Sequence, residues 1–135
     1  MPAVEVDPVP VRTLFEVALE NAIEGCVGET YGAAVAAYQG EWATDPAVRG
    51  TMRAIAVDEA EHASLGWAVD GWARSRLPCA ARLEIDESVE RARATIREHA
   101  QRDVARAVAV PLGLPDAAAA AVLNAAVDGW FRGRG

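Results

Sequence analysis

Residues 54–63 read Ala54-Ile55-Ala56-Val57-Asp58-Glu59-Ala60-Glu61-His62-Ala63. They lie in a stripe of residues spaced three or four apart, with Val48, Met52 and Ile55 before Glu59 and His62, and Gly66 and Val69 after them. Three-to-four spacing is the period of an α-helix, so Glu59 and His62 are expected on the core-facing side, one turn apart. A carboxylate and an imidazole on such a face are costly unless they pair or hold a metal ion.

Working outward, Thr44-Asp45-Pro46 starts this helix with a capping residue and a proline at an early helical position. The helix is expected to run to about Arg76, where Leu77-Pro78 breaks it. A first helix precedes it from about Val11 to Ala43, and a third follows to about Val108. Pro111-Leu112-Gly113-Leu114-Pro115 reads as a turn. Pro115 opens a short fourth helix to about Trp130, with Asp116 at its positive end. Residues 1–10 read as an irregular arm and 11–135 as one helical domain. Two helices of roughly 30 residues, each about 45 Å long, joined by a very short turn make an antiparallel hairpin. The expected fold class is all-α.

Composition narrows the function. The net charge of −7 argues against nucleic acid and anionic membrane surfaces as partners. No apolar run approaches the ~18 residues of a transmembrane helix, and the N-terminus lacks the basic start and apolar core of a signal peptide. The expected location is cytoplasmic. Cys26 and Cys79 form no CxxC and read as buried free thiols.

The first helix carries its own interrupted stripe: Leu14, Val17, Asn21, Glu24, Val27 or Gly28, Tyr31, Val35, Tyr38 and Trp42. Glu24 breaks the apolar face and Tyr31 lies two turns further on. Glu29 is five residues from Glu24, so it points about 140° away. It enters the same site only if the helix kinks at Gly25 or Gly28, and it ranks below Glu24. Gly25, Gly28 and Gly32 suit close helix–helix approach. From Glu24 to the turn is about 20 residues and from the turn to Glu59 about 14, a mismatch of roughly 9 Å along the axis.

Glu-x-x-His on a bundle helix is the arrangement that di-iron and di-manganese carboxylate proteins use. The composite of Glu24, Tyr31, Glu59 and His62 resembles one half of the ferritin-like superfamily site, over about residues 11–76. The run Glu20-Asn21-Ala22-Ile23-Glu24-Gly25-Cys26-Val27-Gly28-Glu29-Thr30-Tyr31 is also similar to a group of uncharacterised bacterial ferritin-like domain proteins. The resemblance implies a four-helix-bundle architecture, with Glu24 as a terminal carboxylate ligand, Glu59 as a bridging one and His62 as the nitrogen ligand. It further implies Tyr31 as a nearby hydrogen-bond or electron donor, and Asp58 as an acid that holds a ligand histidine in one tautomer.

A complete site of this kind needs four carboxylates and two histidines. The third helix places only His99 on its apolar stripe, its glutamates alternate with Arg91, Arg93 and Arg97 as on a solvated face, and the fourth helix has neither Glu nor His. A homodimer with two-fold symmetry doubles Glu24, Glu59 and His62 to the full count. The expected function is therefore a dimeric di-iron protein, with manganese as the other metal, that oxidises iron or reacts with oxygen or peroxide. The other reading is a metal-free bundle that keeps the fold as a structural or interaction module, its four tryptophans serving an interface.

Overall fold

The computed structural model describes residues 10–100 and 105–132. Among these residues all regular structure is helical, and no strand occurs. The first rod comprises α1 (Leu14–Glu20), a π-helical segment (Asn21–Gly28) and α2 (Glu29–Trp42). Then come α3 (Pro46–Arg74), α4 (Cys79–Ala100), α5 (Arg106–Leu112) and α6 (Ala117–Arg132). The expected N-terminal arm falls, except for Pro10, outside the described residues.

Local chemistry sets the ends. Thr13 caps α1 in a capping box, its hydroxyl accepting from the Glu16 N–H while the Glu16 carboxylate accepts from the Thr13 N–H. The Asp45 carboxylate accepts from the Ala47 N–H at 2.8 Å and the Val48 N–H at 3.3 Å, and Pro46 is the first helical residue of α3. Asp116 does the same for α6 through the Ala119 N–H at 2.8 Å.

The first rod and α3 form the antiparallel hairpin. Close approaches pair Gly40 with Arg53, Gly32 with Glu59 and Gly25 with Gly66, so positions advance along one helix as they retreat along the other. Gly25 and Gly66 let the backbones touch: a Cβ built on Gly66 would lie 2.4 Å from the Gly25 carbonyl oxygen. The α4 helix packs on α1, the π segment and α6. Ala18, Ala22, Ala73 and Ile85 form the buried centre, with Leu14, Phe15, Leu19, Leu77 and Val89 packed against it. The hairpin gives alanines to the centre and α4 gives Ile85, while large side chains of α1 and α4 close around it.

The expected third helix is divided. Among the described residues its first part, α4, runs to Ala100, and after the extended Ala105 a separate helix of about two turns, α5, docks its end on the hairpin bend. The Thr44 and Asp45 N–H groups donate to the Val110 and Pro111 carbonyls, and the Gln39 side chain donates to the Leu112 carbonyl at 2.9 Å. Gly113 closes α5 in the left-handed region, at φ 64°, a cap that glycine adopts without a Cβ penalty. Pro111 lies inside α5 rather than in the expected turn.

Three further expectations are corrected. Cys79 is exposed while Cys26 is buried. His99 is exposed, so the apolar stripe of α4 does not turn it inward. Arg93 is not on a solvated face: its guanidinium reaches Glu90 and Asp128, and lies 4.7 Å over the Phe131 ring. Desolvated arginine between α4 and α6 requires this charge partner, which Asp128 supplies. No single helix among the described residues is long and apolar enough to cross a membrane.

Candidate metal centre

The hairpin brings together Glu29, Glu59 and His62. One potential ligand atom from each lies within 4.8 Å of those of the other two. His62 Nδ1 is 3.6 Å from Glu29 Oε2, too long for a hydrogen bond but suited to two donors facing one ion. The side chain of His62 is 61% exposed and that of Glu29 is 32% exposed, so the group opens on one side. Gly32 makes room for Glu59, since a Cβ there would stand 3.3 Å from Glu59 Oε2.

Two features put Glu29 in this position. The first is register. Glu29 lies thirteen residues before Trp42, the end of α2, and Glu59 lies thirteen after Pro46, the start of α3. Equal counts from a short bend put the two at one level of an antiparallel pair. The second is the π segment, whose hydrogen bonds span five residues and turn the chain less per residue than an α-helix, re-phasing α2 against α1. Asn21 ties that segment to α3. Its amide donates to the Gly66 carbonyl at 2.9 Å and contacts Cys26 Sγ at 3.8 Å. Gly25 leaves the space for it, because a Cβ there would be 2.7 Å from Asn21 Oδ1.

The expected ranking of the first-helix acids is thus reversed. Glu24 is exposed and outside the group, whereas Glu29 is within it. The roughly six-residue mismatch of Glu24 with Glu59 reflects this, and counting symmetrically from Thr44–Asp45 finds Glu29. Tyr31 is half-buried and lines a small cavity with Val27, Ile96, Val127 and Phe131, where α4 and α6 meet the first rod. Burial pushes its phenol above the usual range. Asp58 is exposed and outside the group of three. The role of Asn21 was not legible as such, because in the sequence it reads only as one member of the apolar stripe.

The electrostatics suit a cation. The Glu29 carboxyl is held above the ordinary carboxylate range, first by the side chain of Glu59 beside it, then through burial and the negative charge of Glu59, with His62 opposing. A divalent ion between two such carboxyls would offset the repulsion that raises Glu29. Glu29 Oε2 is buried and has no hydrogen-bond partner. Such an atom carries a desolvation cost that a bound cation removes. Two carboxylate oxygens and one imidazole nitrogen are a donor set for iron, manganese or zinc rather than for a soft thiophilic ion.

Comparison with protein-family models, with curated proteins and with solved structures finds no match to this chain.

Proposed function

We propose that Glu29, Glu59 and His62 hold a divalent iron or manganese ion, and that two copies of the chain place two such triads together as a ferritin-like di-metal centre in a four-helix arrangement. The observation that carries this reading is the buried, unpartnered Oε2 of Glu29 facing a second carboxylate and an imidazole. Iron in such a ligand set supplies reactivity toward oxygen or peroxide. The chain's own part is to position the donors: register and the π segment bring Glu29 to Glu59, Gly32 seats Glu59, and one helical turn separates Glu59 from His62. Loading favours the ionised form of Glu29, whose carboxyl is otherwise pushed toward the protonated one.

The dimer is supported by the outer side of α3. Leu65 and Trp72 are 65% and 51% exposed, and they share a helical face with His62 and Val69. Exposed apolar side chains beside a half-complete ligand set suit burial against a second copy. His99 is exposed, so it does not fill the vacant share of the set from within the chain.

The test is elemental analysis of the purified chain together with its mass by light scattering, for the parent, Glu59→Ala and His62→Ala. The reading expects a dimer with at least one iron or manganese per chain, and loss of metal in both variants with helicity retained. A chain that loads no transition metal from excess Fe(II) or Mn(II) leaves the metal-free interaction module as the function. A monomer with stoichiometric iron removes the shared centre.

A further inference from the structure

The outer side of α6 differs from that of every other described helix. Each exposed residue from Ala117 to Trp130 is Ala, Val, Gly or Trp. The other helices expose charge, such as Glu16 on α1, Glu41 on α2, Glu61 on α3, Glu87 on α4 and Arg106 on α5. The one acid within α6, Asp128, turns inward to Arg93 and Arg97. Val122 is 69% exposed and Trp130 39%. A helix apolar on all sides is ordinarily a buried one. The outward residues also keep a definite order. Ala118, Val122, Ala125, Gly129 and Arg132 alternate steps of four and three, the 3.5-residue repeat of a coiled-coil seam. The seam is made of small side chains that let a second helix approach closely, and it carries no charge until Arg132 ends it. Asp116 stands exposed just before its start, its carboxylate accepting from the Ala119 N–H.

These features select the partner. Two chains of net charge −7 repel, so they meet most easily where the surface carries no charge. A two-fold axis across the middle of α6 would pack it antiparallel on its own copy and bring the partner's Arg132 to Asp116 at both ends. Antiparallel dipoles add to this by setting each N-terminus beside a C-terminus. A parallel pair would set like charge on like. We infer that α6 packs antiparallel on α6 of a second copy of the chain, through Ala118, Val122, Ala125 and Gly129. This contact is distinct from the one beside the metal triad. α6 meets α3 at Trp67, whose ring lies 5.1 Å from that of Trp130 and 5.2 Å from that of Phe131. Trp67 follows His62 by five residues and so lies about 140° round α3 from it. A pair joined on the Leu65 and Trp72 side therefore leaves the outer side of α6 uncovered. With 16 residues, α6 offers a strip about 24 Å long and about 10 Å wide, roughly 240 Å² per copy. A stable interface buries about 800 Å² per partner, so association through α6 is a separate, concentration-dependent step.

Light scattering on the full chain between about 10 µM and about 1 mM reads this step. The mass is expected to rise toward twice its value at the lowest concentration. Ala125→Glu, at an exposed helical position, is expected to abolish the rise with helicity and metal content unchanged. Failure of the metal reading would show instead as absence of metal from parent and variant alike, which leaves this comparison intact. Disulfide capture reads the orientation, in a Cys79→Ser background because Cys79 is exposed. In the antiparallel pair, Ala125→Cys lies about 5 Å from its copy along the helix axis and cross-links, whereas Ala118→Cys lies about 16 Å from its copy and does not. A parent of constant mass over that range, a folded Ala125→Glu that associates like the parent, no cross-linking of Ala125→Cys, or equal cross-linking of Ala118→Cys overturns the inference. Constant mass with co-sedimentation on phosphatidylcholine vesicles overturns it as well, and gives this face to lipid.

Discussion

Gly66→Ala tests the architecture that positions the metal triad. The added methyl would stand 2.4 Å from the Gly25 carbonyl oxygen and 2.6 Å from its carbon, against 3.4 Å or more for ordinary contact. Both atoms are backbone, so no side chain can swing aside, and α3 must move from the π segment by about 1 Å. Overpacking of this kind costs about 1–3 kcal/mol. Alanine in place of glycine inside a helix returns about 1 kcal/mol. Gly71→Ala, on the same helix, meets nothing within 4 Å and receives only the gain. The two variants should therefore differ by about 1–3 kcal/mol in unfolding free energy, with Gly71→Ala the more stable. Urea denaturation followed by circular dichroism reads this directly, with the thermal midpoints separating by about 3–12 °C for a domain of this size. The same displacement acts on function. Gly66 lies one turn beyond His62 on α3, so moving it away from Gly25 also separates Glu59 and His62 from Glu29. Gly66→Ala should lower metal affinity while Gly71→Ala leaves it at the parent value. A Gly66→Ala variant as stable as Gly71→Ala would refute the close backbone contact and with it this account of the site's geometry.

Three other outcomes are expected. Glu29→Ala should abolish stoichiometric binding of Fe(II) or Mn(II) measured by equilibrium dialysis, whereas Glu24→Ala should stay within about twofold of the parent, since an exposed side chain outside the group costs little to remove. The raised pKa of Glu29 means that the native state favours the protonated acid: this contribution to stability is full below the unfolded carboxyl value and is lost as pH rises through the higher folded one. Glu29→Gln should therefore stabilise the metal-free chain near neutral pH and flatten that part of its pH–stability curve, and the parent should release protons on loading when titrated in buffers of different ionisation enthalpy. Asn21→Ala should cost about 1 kcal/mol of stability through the lost bond to the Gly66 carbonyl and should weaken metal binding more than its stability loss explains, with Asn21→Gln restoring part of both; unchanged metal affinity would reduce Asn21 to a structural contact.

The all-helical class, the break at Thr44-Asp45-Pro46 and the inward phase of Glu59 are local properties, and they were legible in the sequence. Caps act through the nearest N–H groups, and a stripe at three-to-four spacing has one core-facing side whatever it packs against. That Arg93 would be desolvated depended on contacts with α6, more than thirty residues away. Phase carried from residue to residue also failed across Asn21–Gly28, because it assumes α-helical winding throughout. The choice between Glu24 and Glu29 was therefore tertiary: the tight fit of Gly25 against Gly66, with Asn21 bridging the two helices, accompanies the π segment that re-phases the rod. The orphaned oxygens of Glu29 and Asp70 belong to the same level. Sequence names an acidic residue and predicts its face, but whether one of its atoms is left without a partner depends on every helix that closes around it.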